Sequence, residues 1–176
     1  MSDERVHWTI YESPIGPLTL VAGPGGLSAL NFPGRMPVPP EAGKGEMPEV
    51  VDQLEAYFAG ERRVFEVELD MQGTPLQRAV WRELLEIPYG ETTSYGEVAA
   101  RIDWSGDRAD VEPHKRARAV GSANGRNPVS IIVPCHRVIG ADGSLVGFGG
   151  GIARKRWLLT HEGVLGEGEQ LSLLDA

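Results

Sequence analysis

Apolar and polar positions alternate loosely from His7 to Ser13, and Pro14-Ile15-Gly16-Pro17 follows as a turn signal. Leu18-Thr19-Leu20-Val21-Ala22 predicts a second strand, Gly23-Pro24-Gly25-Gly26 a second turn, and Leu27 to Phe32 a third strand. Three short strands on tight turns predict an antiparallel meander. Residues 33–48, rich in proline and glycine, read as a loop. From Pro48 to Ala59 the period changes: Val50, Val51, Leu54, Tyr57 and Phe58 fall at helical spacing, and Gly60 is the stop. Phe65-Glu66-Val67-Glu68-Leu69 alternates again and predicts a short strand.

Beyond residue 73 the pattern is mostly helical. Thr74-Pro75-Leu76-Gln77 combines a capping residue, a proline at the first helical position and a capping-box glutamine. Leu76, Val80, Leu84 and Ile87 then recur at helical spacing until Pro88. Ser94-Tyr95-Gly96-Glu97 repeats the capping box and opens a second helix through Ile102. Pro113 predicts the start of a third, running through Arg118, Val120 and Ala123, with Gly125 as its left-handed cap. The second and third helices fit a helix-turn-helix and equally a plain helical pair with a solvated basic end. Val129-Ser130-Ile131-Ile132-Val133 predicts a buried strand, and Asp142-Gly143 a hairpin turn. Ile152 to Glu162 predicts a last helix whose early cations, Arg154-Lys155-Arg156, and late Glu162 oppose the helix dipole. Each such charge costs roughly 0.3–1 kcal/mol when exposed, so partners are expected: phosphates for the cations, a histidine for Glu162.

These elements predict an α+β chain in three segments: a scaffold domain over 1–73, a second domain over 74–163, and an acidic tail over 164–176. The net charge of −8 argues at first against nucleic acid, but its distribution changes the picture. Residues 1–73 carry five basic and twelve acidic side chains, whereas residues 74–163 carry twelve basic and ten acidic. The acidity lies outside the segment that holds the chemistry. One cysteine excludes a disulfide framework and a cysteine-rich zinc site. With neither a signal-like apolar run nor a span-length one, a soluble, reducing, cytoplasmic setting is expected.

That cysteine stands in Pro134-Cys135-His136-Arg137-Val138. Taken alone, a cysteine after an apolar run is ordinarily an inert buried hydrophobe. Next to a histidine it is also a candidate nucleophile. The glycine-rich run Gly147-Phe148-Gly149-Gly150-Gly151 lets backbone amides face a ligand, or serves as a linker.

Several stretches in this order resemble the O6-alkylguanine-DNA alkyltransferases, also called methylated-DNA–protein-cysteine methyltransferases. They are Gly73-Thr74-Pro75-Leu76-Gln77, Ile87-Pro88-Tyr89-Gly90-Glu91-Thr92, Ser94-Tyr95-Gly96, Arg118-Ala119-Val120-Gly121, Asn127-Pro128, Pro134 to Gly140, Gly147 to Gly151, and Leu158 to Gly163. The resemblance implies a small ribonuclease-H-like N-terminal domain followed by a helix-turn-helix domain with the active-site cysteine. It implies a single-turnover DNA-repair enzyme that flips O6-alkylguanine out of duplex DNA and keeps the alkyl group on Cys135, with O4-alkylthymine as a second candidate substrate.

By that resemblance His136 takes the thiol proton through a water and Glu162 orients it. Tyr95 donates to guanine N3 and crowds the flipped phosphate, and Asn127 ties the cysteine turn to the helices. Arg118 enters the base stack, with Ala119, Gly121, Ser122 and Arg137 also on the DNA side. Backbone groups of Cys135, Val138 and Gly149 read the base, and Phe148 walls the pocket. No metal and no cofactor are expected; the expected partner is duplex DNA containing alkylated guanine, met by a monomer with no membrane. A non-catalytic alkyltransferase-like protein would lack Cys135, and a two-part adaptive-response regulator would need further cysteines. An unrelated cysteine hydrolase would leave the other matches to coincidence. The chain departs from the family in Asp103 to Ala117, where a short turn is usual, and Arg116 there competes with Arg118 as the wedge.

Overall fold

The computed structural model describes residues 5–166, which form two compact units. The expected tail lies outside the described residues from Glu167 onward.

The first unit holds residues up to Gln72 together with Pro128–Ile132. Strands β1 (His7–Ser13), β2 (Gly16–Gly23) and β3 (Gly26–Asn31) form the predicted meander, and β4 (Gly43–Lys44) adds in parallel to β1. The sheet order is β3-β2-β1-β4. Gly26 closes the second turn at φ 122°, and a Cβ there would sit 2.5 Å from the Glu68 carbonyl oxygen, so glycine is required. Alternation aims Leu18, Leu20, Leu27 and Leu30 inward, where they are almost fully buried with Leu54 and Tyr57 of helix α1 (Pro48–Phe58). Gly60, at φ 78°, ends α1 as expected.

Two predicted strands are absent. Over 65–69 only Leu69 pairs, as a single parallel bridge to Leu27, because Gln53 of α1 takes both backbone groups of Glu66. Over 129–133 only Val129 pairs, with Leu30. The chain then turns sharply: Ile132 N–H donates to Ser130 O at 2.9 Å, with Ile131 between them at φ 73°. This is a γ-turn in the strained, left-handed sense, unusual for a β-branched residue. Burial of Ile131, 1% exposed, holds it there.

The second unit is Gly73–Asn127 with Val133 onward, so 128–132 interrupt the expected continuous domain. Its helices are α2 (Pro75–Leu85), α3 (Tyr95–Ala100), α4 (Arg116–Gly125) and α5 (Ile152–His161). Both capping boxes form, Thr74 with Gln77 and Ser94 with Glu97. Pro113 opens a 3-10 turn (Pro113–Lys115) that runs directly into α4, and α4 ends on Arg126, at φ −101° and ψ 9°, rather than on a left-handed Gly125. The turn at Asp142-Gly143 forms, with Gly140 N–H on Ser144 O at 2.8 Å, but no hairpin strand follows. Instead β6 (Val138–Ile139) pairs in parallel with β5 (Thr93–Ser94). Trp81 of α2 donates its indole N–H to Ala123 O of α4 at 2.9 Å, locking those helices.

Candidate active site

The cysteine is delivered by backbone geometry that proline enforces. Pro134, at φ −81° and ψ 64°, forms an inverse γ-turn in which Cys135 N–H donates to Val133 O at 2.8 Å. Cys135–Arg137 then make one 3-10 turn leading into β6. Cys135 is 4% exposed. Two buried asparagines hold this turn: Asn127 Nδ2 donates to Val133 O at 2.8 Å and Asn124 Nδ2 to Cys135 O at 3.4 Å.

His136 and Glu162 are brought together from either side of α5. His136 Nε2 lies 2.7 Å from Glu162 Oε2, and both side chains are fully buried. Arg137 donates Nε to Glu162 Oε1 at 2.7 Å, one terminal N–H to Oε2 at 3.1 Å and the other to Ile87 O at 2.7 Å. Its guanidinium also lies over the Tyr89 ring. Burial alone would raise the Glu162 carboxyl, but His136 and Arg137 outweigh it and hold the group well below the carboxylate range. Burial pushes His136 below its ordinary value, and the cations Arg137 and Lys155 add to this against the opposing pull of Glu162. The pair is therefore a neutral imidazole donating to a carboxylate. An ionised carboxylate only accepts, so Nε2 carries the hydrogen and Nδ1 the lone pair. Nδ1 is buried without a hydrogen-bond partner among the described residues.

Tyr95 is the first residue of α3, directly after β5 and the Ser94 cap. The β5–β6 pairing, Thr93 with Val138 and Ser94 with Ile139, ties it to the segment leaving Cys135. Its hydroxyl donates to Val146 O at 2.8 Å. Burial raises the phenol above its ordinary value, with a further push from an ionised Cys135. The ring sits against Gly121 of α4, where an added Cβ would meet it at 3.6 Å. Gly147 lies beside the Tyr95 hydroxyl at φ 62°, a conformation that strains residues with a side chain.

Lys155 changes the expected picture of α5. Its side chain is fully buried, not turned to phosphates, and Nζ donates to Val138 O and to Val146 O, the latter at 2.8 Å. Burial pulls its ammonium down to about 8, against the favourable influence of an ionised Cys135. Helical spacing signalled this: Lys155, Leu158, Leu159 and Glu162 share one face, and all four are buried. Asn124 was legible only as a helix end.

Of the expected pocket residues, Val138 and Phe148 are buried and Gly149 is exposed. The Val138 carbonyl already serves Lys155. On α4, Arg118 and Ser122, four residues apart, are exposed, while Ala119 and Gly121 are half-buried. Arg137 is corrected: its guanidinium is committed to Glu162 and Ile87 inside the unit, so it does not face DNA. Among the described residues no His, Cys, Asp or Glu cluster could hold a metal, and no helix is long and apolar enough to cross a membrane.

Comparison with known proteins places both parts of the chain in one family. Residues 6–71 match the family described as 6-O-methylguanine DNA methyltransferase, ribonuclease-like domain, and residues 75–164 match its DNA binding domain. The chain is 52% identical over 163 residues to a methylated-DNA–protein-cysteine methyltransferase of Mycobacterium tuberculosis, covering 89% of this chain and 92% of the relative. A protein of the same name from Methanosarcina acetivorans is 47% identical over 163 residues, covering 90% and 99%. A crystal structure of Mycobacterium tuberculosis OGT in complex with DNA superimposes with a TM-score of 0.79 at 50% identity, covering 94% and 98%.

Proposed function

We propose, for a chain that belongs to the 6-O-methylguanine DNA methyltransferase family, that Cys135 takes the alkyl group from O6-alkylguanine flipped out of duplex DNA. The observation that carries this reading is the sole cysteine, in a turn whose next residue is a buried histidine on a carboxylate.

The chemistry follows from the protonation states. The lone pair on His136 Nδ1 takes the thiol proton through a bridging water, and Glu162 fixes the tautomer that makes this possible. The Cys135 sulfur attacks the alkyl carbon, the carbon–O6 bond breaks, and the guanine leaves with the electron pair. Tyr95, whose phenol is protonated and held on Val146 O in the free protein, turns its O–H to N3 as that charge builds. Lys155, buried beside Cys135, favours the ionised sulfur by the same interaction that favours its own ammonium. A thioether does not hydrolyse, so each molecule reacts once. Arg118, exposed on α4, fills the space left by the base, and small residues Gly121 and Ser122 let the helix approach the groove. The site groups come from one chain, which suits a monomer, and a reducing cytoplasm keeps the thiol available.

Incubating the protein with duplex DNA containing O6-methylguanine should give one methyl adduct, on the Cys135 peptide, by mass spectrometry. No adduct, with Cys135→Ser binding that DNA equally well, would overturn the reading in favour of lesion binding alone.

A further inference from the structure

Helix α4 begins without the devices that fixed α2 and α3. Its N-cap is Lys115, with no side-chain cap, and no acidic residue lies in its first turn. Cations stand at 115, 116 and 118 against a dipole that disfavours them. The 3-10 turn opened by Pro113 leads directly into Arg116, but nothing at that end of the helix decides which arginine it presents.

The connection before it contains such a device. Trp104 donates its indole N–H to Ala99 O in the last turn of α3 at 2.8 Å. The Arg116 guanidinium lies 5.2 Å from the centroid of that indole, and Arg116 Nε donates to Val111 O at 3.3 Å. Around Trp104, Asp103 accepts Ser105 N–H at 3.0 Å and Arg108 donates to Asp103 O at 2.7 Å, so the connection is internally bonded. Lys115 pairs with Glu112 at 2.9 Å. The path from α3 to the first residue of α4 therefore runs through one aromatic side chain. At 3.6 residues per turn, Arg116 and Arg118 lie about 200° apart around the helix. Holding Arg116 on Trp104 turns Arg118 outward, as observed.

We propose that the 103–115 connection is a brace for the recognition helix, with Trp104 and Arg116 as positioning residues that select Arg118 as the side chain offered to the duplex. This rests on the reading of Arg118 as the side chain that enters the base stack. The brace acts on duplex recognition and not on the cysteine, because none of its bonds reaches Cys135, His136 or Glu162.

The test is single-turnover transfer from a duplex containing O6-methylguanine and from free O6-benzylguanine, for W104A, W104F, R116A, R118A and W104A/R118A. Loss of a cation–π contact and its supporting hydrogen bond should slow duplex transfer about ten-fold in W104A and R116A, and much less with the free base. W104F, which keeps an aromatic face, though a smaller one, but not the N–H, should fall between. The double variant should be no slower than R118A by more than about two-fold, since Trp104 acts through Arg118. Wild-type duplex rates in W104A and R116A, with R118A slow, would overturn the brace alone. Equal slowing on both substrates, or full additivity with R118A, would also overturn it. A wild-type duplex rate in R118A would overturn the wedge reading and the brace with it.

Discussion

Glu162 is the carboxylate that accepts from His136 and twice from Arg137, in a place from which water is excluded. Removing its charge leaves the Arg137 guanidinium buried without a counter-charge. Breaking a buried pair from one side costs about 3–5 kcal/mol. Glu162→Gln should therefore lower unfolding stability by about 3 kcal/mol at neutral pH, measured by urea titration. The pH dependence has a definite sign. The folded carboxyl lies below its ordinary value of 4.5, so its contribution is complete above that pH and fades as the pH falls through and below it. The gap between wild type and Glu162→Gln should be constant from neutral pH down to about 5.5 and narrow by about pH 3.5; a constant gap throughout would refute the assignment. The sequence made the pairing of Glu162 with a histidine legible, because an acid in the last turn of a helix needs a reason. It did not reveal Arg137 as the second partner. An arginine beside a reactive cysteine reads as a contact to phosphate, and only the fold shows the carboxylate within its reach.

Among the elements, the capping boxes were the most legible features, since they need only residues three apart. They also separate stability from reactivity. Thr74 starts α2, far along the chain from the reacting groups, whereas Ser94 starts α3 and fixes Tyr95 as its first residue. Replacing either by alanine should cost about 1 kcal/mol of stability. Thr74→Ala should still transfer at the wild-type rate, while Ser94→Ala should be slowed several-fold, read by adduct formation against time. Equal rates in the two would show that the cap of α3 does not position Tyr95. The strand predicted over 129–133 failed for a physical reason. A run of valine and isoleucine reports burial, and burial is what the structure shows, but hydrogen bonding goes to two successive γ-turns. These turns, at Ile131 and Pro134, redirect the chain within four residues. Ordinary extended geometry there would carry Cys135 away from Asn124 and Asn127. Proline was a visible sign of the second turn; nothing in the local pattern marks Ile131 for a positive φ.

For the whole molecule, the capping box at Thr74 is the sequence feature that suggests a boundary near residue 73, whereas nothing in the pattern announces the return of 128–132 to the first unit. An apolar run has the same pattern whichever unit buries it. The return has an energetic consequence. Leu30 N–H donates to Pro128 O at 2.9 Å and Ser130 N–H to Leu30 O at 3.0 Å, and Val129, Ile131 and Ile132 are buried. Each of these three side chains contributes about 1.5–3 kcal/mol by leaving water, and their sum rivals the total stability of a domain, about 5–15 kcal/mol. The strained turn at Ile131 would also lose the packing that enforces it. A fragment of residues 73–176 therefore keeps every group proposed to react, yet should show no cooperative urea transition and no methyl adduct, in contrast to the full chain. A cooperative, reactive fragment would mean that the cysteine turn is set within the second unit alone. The expected failure would instead make burial of residues 128–132 in the first unit a requirement for the turn that leads into Cys135.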